Sequence, residues 1–178
     1  MIRNLSPIQQ LRVRTSAPGI GWRTWLAIIM LIALGGPARG DSADVTIPAS
    51  VSFSVTDVTI ATGGTPSPAT ASFEDAVLAS GNALRMSIQA DATNFTRPVE
   101  AGGYIPASNL SWTINGATNG QGFAGTLSMT AYTEVYESNP DATSGSVNLV
   151  WSLAAPGSGV RAGAHMLTAT WKIESVVP

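Results

Sequence analysis

Apolar residues recur at every second position along much of this chain, and that period restricts the folds open to it. Val147, Leu149, Trp151 and Leu153 fall on one parity, and Leu167, Ala169, Trp171 and Ile173 repeat the pattern against Met166, Thr168, Thr170 and Lys172. Side chains of an extended backbone point alternately to opposite faces, so each run gives a strand with one apolar side. Leu84, Met86 and Ile88 read the same way, as do Leu110, Trp112 and Ile114, and Val51, Phe53 and Val55 among serines. At Thr56-Asp57 the parity changes before Val58 and Ile60, as a bulge or a strand break requires. Leu127, Met129 and Ala131 lead toward Val135, with Ser128, Thr130 and Tyr132 opposite.

Breakers divide these runs. Gly63-Gly64-Thr65-Pro66-Ser67-Pro68 reads as a loop, Asn115-Gly116 as a hairpin turn, and Pro156-Gly157-Ser158-Gly159 as the link between the last two strands. Such a series of short alternating segments predicts an all-β fold. The expected architecture is a single antiparallel β-sandwich, immunoglobulin-like or Greek-key, although a barrel shares the local signals. Ser72-Phe73-Glu74-Asp75, with Ala76-Val77-Leu78-Ala79 after it, fits either one or two helical turns or a further strand.

Charge separates the chain into two parts. Five of nine Lys and Arg lie in residues 1–40 and all eleven acids lie after them, so the first part carries +5 and the remaining 138 residues carry −7. The apolar run Trp25–Leu34 follows the basic stretch, and Ala38-Arg39-Gly40 places small residues at −3 and −1 of a cut before Asp41. This is the layout of a secretory signal peptide, residues 1–40, ahead of a secreted domain, residues 41–178. The run is too short for a membrane-spanning helix, which takes roughly 20 apolar residues. No stable membrane span is expected after cleavage, and the expected location is secreted, periplasmic or cell-surface.

Composition narrows the chemistry. With no cysteine there is no disulfide, zinc-thiolate site or cysteine nucleophile. Only Arg85, Arg97, Arg161 and Lys172 remain in the mature part to meet phosphates, which argues against nucleic acid. His165, the sole imidazole, shares the parity of Leu167 and reads as a packing or rim residue. A small exported hydrolase would need Glu134 or Glu137 clustered with another acid in a cleft, whereas a solvated sheet face is the simpler explanation of these acids. No nucleophile elbow or phosphate loop occurs, so the chain reads as non-catalytic and cofactor-free. Calcium is the one metal with a candidate loop, at Glu137, Asn139, Asp141 and Ser144. Tyr132 and Tyr136, placed by parity on one outward face, are the candidate surface for a glycan or protein partner.

Trp151-Ser152-Leu153, the near match Trp171-Lys172-Ile173, and Ala162-Gly163-Ala164-His165 before the final alternation carry a resemblance. The chain resembles WxL-type bacterial cell-surface domains and, more loosely, spore-coat-U-like fimbrial subunits. It departs from them in having both Trp motifs near its C-terminus and no cysteine. The resemblance implies an exported, non-catalytic structural or adhesive β-domain, fimbrial or surface-layer-associated, with protein partners or self-assembly. A carbohydrate-binding or other ligand-binding module is the alternative. Residues 41–55 read either as a donor strand for a neighbour or as the domain's own first strand.

Overall fold

The structure, a computed structural model, describes residues 10–12, 40–98 and 102–178. The expected signal peptide therefore lies outside the described residues except for 10–12 and 40. The strands are β1 (Gln10–Arg12), β2 (Ser42–Thr46), β3 (Thr62–Gly63), β4 (Ala69–Val77), β5 (Ala83–Ala90), β6 (Leu110–Thr118), β7 (Gly120–Gly122), β8 (Gly125–Thr126), β9 (Thr133–Ser138), β10 (Gly145–Leu153) and β11 (Ala169–Val176). Among the described residues the only helix is a 3-10 turn, Ala107–Asn109.

All pairings between these strands are antiparallel and build two sheets, ordered β1-β11-β5-β9-β7 and β2-β4-β10-β6-β8. The inward parity of each sheet meets that of the other in one core. Met86, Ile88, Val135 and Trp171 come from one sheet, and Phe73, Trp112, Leu149 and Trp151 from the other. The chain is thus all-β with the layered arrangement of a β-sandwich. The parity reading placed Trp151 and Trp171 inside, and both are 4% exposed.

Three sequence readings change and one open alternative, at residues 72–79, is settled, each for a local reason. Asn115-Gly116 is not a hairpin turn but lies within β6. Val147 pairs with Ala117 and Leu149 with Ile114, so two residues of β6 face one of β10 in a bulge. The chain turns instead around Asn119, whose φ is 52°. The segment from Ser72 to Ala79 is not helical, since its first part continues β4. A second bulge there, with Ser42 opposite Val77 and Asp44 opposite Glu74, puts Asp75 at φ 49°.

Val51, Phe53 and Val55 keep their alternating half-burial but form no strand; a single bridge joins Ser52 to Thr65. This stretch crosses the end of the sandwich instead of extending a sheet. The third change concerns β9, where Met86 faces Tyr136 but Ser87 faces Glu134. Val135 is the extra residue, and past it the inward parity flips.

Candidate functional site

A recess of about 670 Å³ opens at one end of the sandwich, where irregular chain replaces strand. Residues 48–58 form one wall and the approach to β11, residues 160–168, forms another. Between them the floor comes from the inward parity of both sheets, including Ile88 and Trp171 on one side and Trp151 and Leu153 on the other. A smaller apolar cluster of Phe95, Ile105 and Leu153 supports the same end. The volume lies within the range of small-molecule sites, and the lining is mostly apolar, as such sites require.

The polar groups here are few. Among the described residues, Arg161 and His165 are the only titratable ones lining the recess, and no acid lines it. The Nε2 atom of His165 sits 2.9 Å from the Arg161 carbonyl oxygen. A carbonyl can only accept, so Nε2 carries the proton and Nδ1 is the acceptor of the neutral ring. That Nδ1 is buried without a partner, as is the indole Nε1 of Trp151. The neighbouring Trp112 shows the usual outcome, donating its Nε1–H to the Phe123 carbonyl at 2.8 Å. His165 therefore occupies the rim position that its parity suggested, beside a cavity the sequence did not disclose.

The two tyrosines do not share a surface. Tyr136 is 0% exposed, and its hydroxyl donates toward the carbonyls of Thr118 at 2.7 Å and Asn119 at 3.0 Å. The reason is the β9 bulge, which turns Tyr136 inward, so the outward placement of this residue is corrected. Burial also pushes its phenol up to about 12. Tyr132 stays half-buried on the outer face, with the Lys172 ammonium 5.8 Å from its ring centroid.

Glu134 and Glu137 are brought together, but around Arg85. The Arg85 Nε donates to Glu137 at 2.8 Å and lies 3.5 Å from Glu134. Burial holds the Glu134 carboxyl above its usual range despite the pull of Arg85. This is a charged outer sheet face flanked by Lys172 and Glu174, themselves paired at 2.6 Å.

In the loop weighed for calcium, Glu137 is engaged by Arg85, and Asp141 accepts the Gly81 amide at 2.7 Å. Among the described residues no three carboxylate or imidazole groups converge as a metal site needs. Among the described residues no helix is long and apolar enough to cross a membrane.

The recess escaped the sequence reading because residues 48–58 and 160–168 meet only in the folded chain. The one available signal was the parity break at Thr56-Asp57, which marked a segment unable to continue a strand. No protein-family model matches the chain, and no curated protein or solved structure is significantly similar to it.

Proposed function

We propose that this chain is an exported, non-catalytic domain that serves a structural or adhesive role at the cell surface or in the extracytoplasmic space. The observation that carries this reading is the position of β2. It starts one residue after the expected cut and forms the outermost strand of its sheet, with no strand paired to its outer side among the described residues. The Asp41 carboxylate accepts the Ala79 amide at 2.8 Å, so the new terminus is tied to its own domain. Residues 42–46 thus serve as the domain's own first strand and offer a free edge beside it. Cleavage before Asp41 would also remove Gln10–Arg12 and bare the outer edge of β11. Free edges of this kind invite pairing with another chain. An immunoglobulin-like or Greek-key assignment belongs to this reading as well.

The test is assembly of the mature protein, followed by size-exclusion chromatography and negative-stain imaging. Concentration-dependent oligomers or filaments that disappear when Ala43→Pro blocks the β2 edge support the proposal. A strictly monomeric protein at every concentration contradicts it. A second reading, a ligand-binding module, is favoured by the recess between the sheets.

A further inference from the structure

We propose that the recess binds an amphipathic carboxylate: an apolar chain or ring inserted between the sheets, with its anionic head held by the Arg161 guanidinium and the Trp151 indole N–H. This deepens the ligand-binding reading and is independent of edge assembly. The first argument is charge. Residues 41–178 carry a net −7, yet among the described residues the recess is lined by one arginine, one histidine and no acid. An anion therefore meets a locally positive mouth on an otherwise acidic domain. A guanidinium also matches a carboxylate with two parallel hydrogen bonds.

The second argument is an unanswered donor. The indole Nε1 of Trp151, a residue 96% buried, can only donate, and a carboxylate oxygen is an acceptor for it. An alcohol head would gain nothing from Arg161 comparable to an ion pair, and an ammonium head would oppose it.

The third argument is access. The Trp151 Nε1 is covered, so a head group reaches it by displacing part of the wall. Backbone bonds tie residues 50–56 to the rest of the described chain only through Ser52 and Thr65, at 2.9 Å in each direction. Val51, Phe53 and Val55 still rest on the core, and residues 161–165 of the facing wall make no backbone bond among the described residues, so these two stretches are the parts of the wall free to yield. The apolar tail then rests against Ile88, Leu127 and Trp171.

The experiment uses the mature protein and three probes of matched chain length: decanoate, decanol and decylamine. Binding is followed by calorimetry and by the intrinsic fluorescence of the recess tryptophans, below the aggregation threshold of each probe. Decanoate is expected to bind about tenfold more tightly than decanol, with decylamine weakest. Arg161→Gln should bring decanoate down to the affinity of decanol, and Trp151→Phe should weaken decanoate while leaving the circular dichroism spectrum unchanged.

Equal affinity for all three heads, or an unaltered preference in Arg161→Gln, would overturn the head-group assignment. No binding of any probe would overturn the site itself. Neither result bears on the assembly test, which reads oligomeric state without ligand.

Discussion

Trp112 and Trp151 sit opposite one another on β6 and β10, with ring centroids 5.1 Å apart and planes tilted by 52°. Both belong to the core between the sheets. A tilted, non-sandwich contact at this distance is one that aromatic pairs favour beyond simple area burial. Truncation to Ala at either site is expected to cost about 3–5 kcal/mol in urea unfolding. The double-mutant cycle should return a coupling of about 0.5–1.5 kcal/mol. Losses near zero would mean that these rings do not occupy the interior.

Glycine is required where β10 begins beside Tyr136. A Cβ at Gly145 would collide with the Tyr136 hydroxyl and lie 2.7 Å from the Phe73 ring, whereas one at Gly63 would meet nothing within 4 Å. Gly145→Ala should therefore destabilise by about 1–3 kcal/mol, the range for overpacking a filled core. Gly63→Ala should change stability by less than about 0.5 kcal/mol. Equal melting temperatures for the two variants would contradict the packing around Tyr136.

Tyr136 should reveal itself at alkaline pH. Its phenol is held up to about 12 by burial, against an ordinary value of 10.0. Between these values the unfolded state binds fewer protons than the folded state, so stability falls as pH rises from 10 toward 12. A spectrophotometric titration should show a late phenolate step near pH 12 that Tyr136→Phe removes. The same variant should lose about 1–2 kcal/mol at pH 7, because two carbonyls lose their shared donor. A titration unchanged by the substitution would contradict the buried placement.

Glu134 should respond in the opposite sense to a paired carboxylate. Burial raises its carboxyl above the usual range, so the folded state takes up a proton more readily than the unfolded chain. Its ionised form therefore costs stability at neutral pH, and that cost vanishes once pH falls below the ordinary carboxylate value of 4.5. Glu134→Gln should raise the melting temperature at pH 7, with the gain shrinking toward zero as the solution is acidified. A lower melting temperature at pH 7 would show instead that attraction to Arg85 dominates.

The sequence revealed the strands where alternation runs unbroken and misplaced side chains where it slips. Val147 to Leu153 form β10 with every second residue buried, and the parity of Trp151 is correct. Tyr136 shows the limit. One extra residue at Val135 exchanges the faces of β9, and nothing in the local pattern Tyr132-Thr133-Glu134-Val135-Tyr136 announces it. Asn115-Gly116 has the composition of a tight turn, yet cross-strand pairing with β10 absorbs it as a bulge. The recess was least legible. Its walls are irregular segments more than 100 residues apart in sequence, and the unanswered nitrogens of Trp151 and His165 are tertiary facts.

Export is the premise of the surface role, and the first residue of the accumulated protein tests it most directly. Intact-mass measurement on chain recovered from each cell fraction and from the medium should find a species beginning at Asp41, outside the cytoplasm. Full-length chain retaining residues 1–40 and confined to the cytoplasm would contradict the account.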